Sequence, residues 1–232
     1  MDILSIILIV VASLISMGAS WFIQLNYNKY KQVSVKSGKT GYDVAREILD
    51  RNGLSNVLIF EVAGELADHY DPSKKCVKLS HDIYHGKTIA ATSVASHECG
   101  HAIQDKEGYT FLRFRNRIVP LVNISSKLGY VAIMAGIALS MLNLIWVGIA
   151  FELVILLFQL VTLPVEFDAS NRALKLIKKY GLVTNDEHSG SKKMLTSAAL
   201  TYVAGVVSTL MEILRLVLSF GRRNRWLLKL IL

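Results

Sequence analysis

The longest apolar stretch of this chain is IVPLVNISSKLGYVAIMAGIALSMLNLIWVGIAFELVILLFQLVTL, residues 118–163. A helix rises 1.5 Å per residue, so about 20 residues cross a hydrocarbon core about 30 Å thick. The 46 residues of this stretch are therefore too many for one span. Residues 141–144, Met-Leu-Asn-Leu, supply a tight turn between two helices. We predict a transmembrane helical hairpin over residues 118–163.

A second apolar run lies at the amino terminus, where residues 3–25 carry no charged side chain. This run is long enough to span a bilayer. A cleaved signal peptide is the alternative, because Gly18, Ala19 and Ser20 are small residues of the kind found at cleavage sites. However, no basic residue precedes the run, and the run continues past the small residues. We predict an uncleaved membrane anchor over residues 1–25.

A fourth apolar run, residues 198–220, predicts another membrane helix, which a basic tail extends to residue 232. Glu212 and Arg215 have the i,i+3 spacing that lets them pair on one helix face. Glu152 lies inside the hairpin and should face other helices or water, because a charge is costly in lipid. The sequence assigns no functional role to these three ionisable residues.

The overall composition is 52% hydrophobic and 19% charged over 232 residues, which argues against a disordered or collagen-like protein. The net charge is +8, but the basic residues flank the apolar runs, as in cytoplasmic loops of membrane proteins. Fourteen Lys and Arg lie in residues 26–117, and six lie in residues 165–197. We therefore expect segments 26–117 and 164–197 in the cytoplasm, and no nucleic acid as a partner.

The basic tail complicates this orientation. With four spans, residues 222–232 would lie outside together with the amino terminus, although the tail carries four basic residues. The last run could instead be re-entrant or lie on the surface, with residues 226–232 amphipathic at the interface. Alternatively, the larger number of basic residues in the two cytoplasmic segments determines the orientation, and the tail lies outside despite its charge. Both possibilities stay open.

The polar segment 26–117 predicts a small α+β domain. Residues 40–52 have apolar positions at helical spacing and end before Gly53, a typical helix stop. Residues 56–61 and 75–79 read as strands around a turn signal at residues 71–73. We predict two or three strands in a short antiparallel sheet, followed by a helix over residues 87–104.

This last helix contains His97-Glu98-Cys99-Gly100-His101, an H-E-x-x-H motif. Four residues are slightly more than one helical turn, so both imidazoles project from one face and can bind one ion. Zn²⁺ accepts neutral imidazole and lowers the pKa of a bound water to about 7. Glu98 is then placed to take the proton of this water and pass it to a leaving amine. The motif predicts a hydrolytic zinc site with Glu98 as the catalytic base.

A catalytic zinc site usually has three protein ligands, so one more donor must come from elsewhere in the chain. Glu166 is the candidate, because it follows the third apolar run directly, and Asp168 in the same segment is the alternative. Glu152 lies too deep in its run, and Glu107 lies too close on the motif helix to complete a tetrahedron. We predict one Zn²⁺ per chain, with the ligands His97, His101 and Glu166.

Residues 81–85, His-Asp-Ile-Tyr-His, repeat the histidine spacing with Asp in place of Glu. Their helix would be one or two turns long and end near Gly86, and Asp is one methylene shorter than the usual base. We expect solvated loop histidines here rather than a metal site.

The two cysteines, Cys76 and Cys99, are too few for a disulfide framework and form no CxxC pair. We expect two free thiols. Cys99 occupies one of the x positions of the motif, where packing explains it better than redox chemistry.

Several stretches together resemble the YugP-type bacterial membrane family of neutral zinc metallopeptidases. Besides the amino-terminal span, they are residues 67–72 (ADHYDP), 78–80 (KLS), 96–104 (SHECGHAIQ) and 164–170 (PVEFDAS). The resemblance covers nearly the whole chain and implies a multi-pass peptidase of the cytoplasmic membrane. It also implies a mostly α fold of about four membrane helices plus a small α+β, zincin-like metalloprotease domain.

Residues 166–169 are also similar, more distantly, to the Glu-x-x-Ala-Asp segment of membrane zinc proteases of the HtpX and Ste24 types. That likeness implies metal ligation by Glu166. Ser170 stands where those proteases have Asp, so a carboxylate that orients a ligand is either missing or supplied by Asp168. By analogy with zincins, residues 75–80 would form an edge strand that pairs with extended substrate.

Three functions remain open. We favour a gluzincin-like zinc endopeptidase that acts on peptide or protein substrates at the lipid surface. A non-proteolytic membrane scaffold would have a structural zinc site with four protein ligands. A zinc-dependent lipid or amide hydrolase is the third possibility, because the motif determines the water chemistry better than the scissile group. An oxyanion-stabilising donor is required in each hydrolase, and His69, Tyr70, Arg172 and Tyr202 are candidates.

Overall fold

The computed structural model describes residues 3–221 and is mostly helical, with a small sheet, as predicted. In chain order, the elements are α1 (Ile3–Tyr30), α2 (Gly41–Arg51), β1 (Leu58–Val62), β2 (His69–Asp71), β3 (Cys76–Ser80), α3 (His81–His85), α4 (Ile89–Glu107), α5 (Thr110–Ala138), α6 (Leu142–Lys179) and α7 (Asn185–Gly221).

The described residues form two compact units. The membrane-helix unit contains residues 3–19, 114–162 and 201–221. The motif unit contains residues 20–113 and 163–200, and therefore the whole H-E-x-x-H helix.

Four described helices, α1, α5, α6 and α7, are long and apolar enough to cross a membrane. The chain is therefore a membrane protein, and the number of predicted spans is confirmed. The hairpin turn falls between Ala138 and Leu142, slightly before the predicted position. Ser140 at this turn has a φ of 54°, a left-handed conformation that ends α5 sharply.

Small residues and short polar pairs hold the membrane-helix unit together. In the hairpin, a Cβ atom added to Gly148 would meet the backbone of Gly129, so α5 and α6 approach closely at this point. Hydroxyl pairs also link α1 to α7: Ser5 with Ser219 at 3.1 Å, and Ser16 with Ser208 at 2.8 Å.

The predicted pair within α7 is also formed, because Arg215 Nε donates to Glu212 Oε2 at 2.8 Å. An internal pair of this kind lowers the cost of placing two charges in an apolar helix. The basic tail, residues 222–232, lies outside the described residues, so its placement stays a prediction.

Helix α2 begins and ends where its sequence predicts. The Thr40 side chain accepts from the backbone of Asp43, and the Asp43 carboxylate accepts from the Thr40 backbone, which makes a capping box. Gly53 follows the helix with a φ of 67°, a conformation that only glycine adopts without strain. The buried face of α2 packs against α4, where the Cys99 thiol contacts the Ala45 carbonyl oxygen at 3.6 Å.

The sheet is mixed, with strand order β1-β3-β2, rather than wholly antiparallel as expected. Strands β2 and β3 form an antiparallel pair, but β1 runs parallel to β3. The chain after β1 crosses to the far edge before β2 and β3 fold back, and turn signals alone do not predict that crossing. Strand β3 is therefore the central strand, so the expected substrate-pairing edge at residues 75–80 is wrong. The edge strand that contacts α4 is β2.

Helix α6 continues through Pro164 to Lys179, whereas the sequence predicted a change of segment at residue 164. Proline removes one intrahelical hydrogen bond but does not break this helix. The Pro164 carbonyl oxygen accepts a long hydrogen bond from the Tyr109 hydroxyl at 3.5 Å. As a consequence, Glu166 lies in the interior of a long helix and not at a helix end.

Candidate metal centre

His97 and His101 lie one turn apart on α4, a helix that is buried on nearly all sides. Thr88 caps the start of α4 by accepting from the Ala91 amide, and Gly108 ends it in a left-handed conformation. The two imidazole rings are 4.7 Å apart at 85°. The i,i+4 spacing thus places both rings on one face, as the motif predicted.

Glu166 reaches this face from α6. Its Oε2 atom lies 3.3 Å from Nε2 of His97 and 3.7 Å from Nε2 of His101. The carboxylate is almost fully buried, at 3% exposure. All three donor atoms lie within 4.8 Å of one another. The structure therefore brings together the three residues that the sequence proposed as ligands.

The donor set fits a zinc ion. Around a tetrahedral ion with Zn–N distances of about 2.0–2.1 Å, neighbouring donors lie about 3.3 Å apart. The two separations that Glu166 makes are close to that value. Two imidazole nitrogens and one carboxylate oxygen are also the ligand types that zinc enzymes use. No fourth His, Cys, Asp or Glu joins the group within residues 3–221.

Hydrogen bonds on the opposite ring nitrogens orient both histidines. Nδ1 of His97 lies 3.2 Å from the Ser170 hydroxyl, and Nδ1 of His101 lies 3.0 Å from Gln104 Oε1. Gln104 uses its amide nitrogen to donate elsewhere, so its oxygen must accept from His101. Protonation at Nδ1 leaves the Nε2 lone pair of His101 directed towards Glu166, as metal binding requires.

Gln104 also joins the motif helix to α6. Its Nε2 atom donates to the Val165 carbonyl at 2.9 Å and to Asp168 Oδ2 at 2.8 Å. Asp168 in turn accepts from Arg172 at 2.5 Å, and Arg172 donates to Glu107 at 2.6 Å. Asp168, the alternative third ligand, and Glu107 are therefore engaged in this chain of contacts and do not join the donor cluster.

The electrostatics of the cluster favour a cation. Burial by itself lowers the pKa of His101, but the hydrogen bond with Glu166 and the charges of Glu98 and Glu166 outweigh it. The net effect raises the pKa of His101 above its ordinary value. A pocket that favours a proton on a buried imidazole supplies negative potential that also favours a metal ion.

Glu98 is buried, at 7% exposure, and its carboxylate makes no hydrogen bond or ion pair with other described residues. Its charge contributes to the raised pKa of His101 and of Asp68, which places it near both. Burial is the main cause at Asp68, which accepts from the Ser80 amide at 2.7 Å and from its hydroxyl. Glu98 is thus beside the donor cluster with its carboxylate available.

Three of the four candidate oxyanion donors lie in the motif unit and have partners there. His69 Nδ1 contacts the Ala67 carbonyl oxygen at 2.8 Å, and the Tyr70 hydroxyl donates to Asp105 at 2.7 Å. Arg172 is engaged by two carboxylates, as described above. Tyr202 belongs to the membrane-helix unit.

Two residues of the site were missed as functional residues by the sequence analysis. Gln104 lies three residues after His101, a spacing that predicts contact on a helix face. Ser170 lies four residues after Glu166 on α6, so both side chains project towards α4. The likeness to other membrane zinc proteases implies that an orienting carboxylate is missing at Ser170 or supplied by Asp168, whereas the structure shows the Ser170 hydroxyl in contact with His97.

The two cysteines are free and buried, as expected. Burial raises the pKa of the Cys99 thiol well above its ordinary range, so a reactive thiolate is disfavoured. Packing against α2 therefore explains Cys99.

Comparison with known proteins shows the family of the chain. The chain is 45% identical over 217 residues to "Putative membrane protease YugP" of Bacillus subtilis (strain 168). The aligned residues cover 94% of this chain and 96% of that protein. No solved structure matches the chain. A sequence model for the family described as "Putative neutral zinc metallopeptidase" matches residues 5–221. With almost its full length matched, the chain belongs to this family of neutral zinc metallopeptidases.

Proposed function

We propose that this chain is a gluzincin-like endopeptidase that hydrolyses peptide bonds at the cytoplasmic surface of the bacterial membrane. The observation that carries the proposal is the convergence of His97, His101 and Glu166 beside the buried Glu98 carboxylate. The family description and the protease relative support the reaction class.

The number of donors favours a catalytic site over a structural one. A structural zinc site is normally closed by four protein ligands, whereas a catalytic site keeps one position for water or substrate. Within the described residues, the cluster offers three donors, and Asp168 and His69 have other partners. This supports a hydrolase rather than the scaffold that the sequence left open.

His97, His101 and Glu166 would hold one zinc ion. When bound, zinc acts as a Lewis acid and lowers the pKa of water to about 7. Ser170 and Gln104 keep the two imidazoles in the orientation that exposes Nε2. Glu98 takes a proton from the attacking water and later donates it to the departing peptide nitrogen. The burial of Glu98 and Glu166 excludes bulk water, which strengthens electrostatic interactions at the site.

The distribution of basic residues supports the cytoplasmic side in this proposal. Residues 26–117 and 165–197 carry most of the Lys and Arg of the chain, and both segments contribute to the motif unit. Cytoplasmic loops of membrane proteins carry such an excess. The Ser73→Cys variant, with both native cysteines replaced by alanine, tests this orientation by accessibility labelling in intact cells. Labelling by a membrane-impermeant reagent without cell lysis would contradict it.

The activity is tested with Glu98→Gln in the purified full chain. We expect zinc content near wild type and a decrease of at least about 100-fold in cleavage of a quenched-fluorescent peptide library. Glu65→Gln, which alters an exposed carboxylate paired with Lys31, is the control and should cleave normally. Undiminished cleavage by Glu98→Gln would contradict its role. Release of fatty acid from lipid amides, without peptide cleavage by the wild type, would contradict the peptidase assignment.

A further inference from the structure

A second group of histidines and a carboxylate lies on the surface of the motif unit. Nδ1 of His81 is 2.6 Å from Glu61 Oε1, and Nε2 of His85 is 3.0 Å from Glu61 Oε2. The rings of His81 and His85 are 4.9 Å apart. One donor atom from each residue lies within 4.8 Å of the other two, as is also the case in the buried cluster of His97, His101 and Glu166.

The parallel pairing of β1 with β3 creates this group. Glu61 is the partner of Leu79 in the register, and α3 begins at His81, directly after β3. Because His81 and His85 are four residues apart on α3, their rings share one face. The strand and the short helix therefore bring the carboxylate to two imidazoles that sequence patterning assigned to a solvated loop.

The chemistry of the group suits a divalent transition-metal ion. Imidazole and carboxylate donors bind Zn²⁺, Ni²⁺ and Cu²⁺ readily. Lys31, which lines the adjoining cleft, is paired with Glu65 at 2.9 Å and Asp82 at 3.6 Å.

We propose that Glu61, His81 and His85 form a second site for a divalent transition-metal ion, distinct from the buried cluster. Water would complete the coordination, because the side chains are 41%, 72% and 55% exposed, in the same order. The ion ties the edge strand β1 to α3, the element that leads directly into the motif helix α4. Its role is to stabilise the motif unit.

This site binds zinc more weakly than the buried cluster. Orienting partners of metal ligands contribute about 10- to 100-fold in affinity. His97 and His101 have such partners in Ser170 and Gln104, whereas His81 and His85 contact Glu61 itself. We expect the dissociation constant of the surface site to exceed that of the buried one by about the same factor.

The test is equilibrium dialysis of the metal-stripped full chain in detergent against Zn²⁺, with the bound metal measured by elemental analysis. Wild type should bind two ions in two phases. Glu61→Gln and His85→Ala should each lose the weaker phase and keep the tighter one, and His97→Ala should show the reverse. The matched control is Asp82→Asn, an exposed carboxylate between the two histidines, which should bind two ions.

Two results would overturn the proposal: one bound ion in the wild type at saturation, or an unchanged second phase in both Glu61→Gln and His85→Ala. The unfolding temperature controls for misfolding, because Glu61 and His85 are exposed and their substitution should leave the core unchanged. His85→Ala should unfold at the wild-type temperature in EDTA. In the His97→Ala background, zinc should raise the unfolding temperature only while His85 is present.

Discussion

Oε2 of Glu166 lies 3.3 Å from Nε2 of His97, although 69 positions separate the two residues in the chain. The contact exists because α6 approaches α4 with almost no intervening side chain. A Cβ atom at Gly100 would lie 2.7 Å from the Ala169 carbonyl oxygen. The glycine inside the H-E-x-x-H motif therefore determines how closely the two ligand-bearing helices pack.

Gly100→Ala should separate the helices and weaken the metal site. The added methyl would meet backbone atoms of Ala169, which cannot move as a side chain could. Overpacking of this kind costs about 1–3 kcal/mol. We expect a lower unfolding temperature and a loss of bound zinc, measured by differential scanning fluorimetry and elemental analysis.

Gly18→Ala is the control for this substitution. Gly18 also lies inside a helix, but an added Cβ would have no neighbour within 4 Å. This variant should keep wild-type zinc content. Equal zinc content in the Gly100 and Gly18 variants would refute the close-approach argument.

Glu166→Gln and Asp168→Asn distinguish the third ligand from its alternative. Glu166 belongs to the donor cluster, whereas Asp168 accepts from Gln104 and Arg172. We expect Glu166→Gln to abolish stoichiometric zinc binding in the high-affinity phase. Asp168→Asn should retain the ion with reduced affinity. The opposite order of zinc contents would assign the ligand role to Asp168.

Ser170→Ala and Gln104→Leu test the residues that orient the imidazoles. Loss of such a partner typically costs about 10- to 100-fold in metal affinity. Gln104→Leu should have the larger effect, because Gln104 also donates to Val165 and Asp168. Competition with a chromophoric chelator measures both dissociation constants. Ser208→Ala, which alters a hydroxyl pair in the membrane-helix unit, should leave zinc affinity unchanged.

Local sequence patterns predicted those parts of the molecule that depend on nearby residues. The capping residue Thr40 and the stop at Gly53 define α2, because each acts within one turn of the helix. For the same reason, the spacing of the motif predicted that His97 and His101 lie on one face of α4. The hairpin turn near residue 140 followed from the length of the apolar run.

Contacts between distant segments were less predictable. The parallel pairing of β1 with β3 depends on a crossover that no turn signal encodes. Helix α6 passes through Pro164 despite the local preference against proline inside a helix. Glu166 was nevertheless predicted as a ligand, since few carboxylates follow an apolar run at the membrane surface. The contacts of Gln104 with Val165 and Asp168 needed the structure, because both partners lie on another helix.

The capping box of α2 predicts a pH dependence of stability. Hydrogen bonds from the Thr40 hydroxyl and then from its amide lower the pKa of Asp43 below its reference value of 3.8. Since the folded state binds this proton less tightly than the unfolded state, the contribution of Asp43 is fully present above that value. It is lost as the pH falls through the lowered pKa of the folded state.

Asp43→Asn removes this titration while keeping a side chain of similar size. We expect the difference in unfolding temperature between wild type and Asp43→Asn to be largest near pH 6 and to shrink below pH 4. Thr40→Ala should instead cost about 1 kcal/mol at neutral pH, because it removes the cap itself. Because α2 packs directly on α4, both effects should also appear as faster amide exchange in the motif helix. A wild-type to Asp43→Asn difference that stays constant from pH 7 to pH 3 would show that the carboxylate charge makes no contribution.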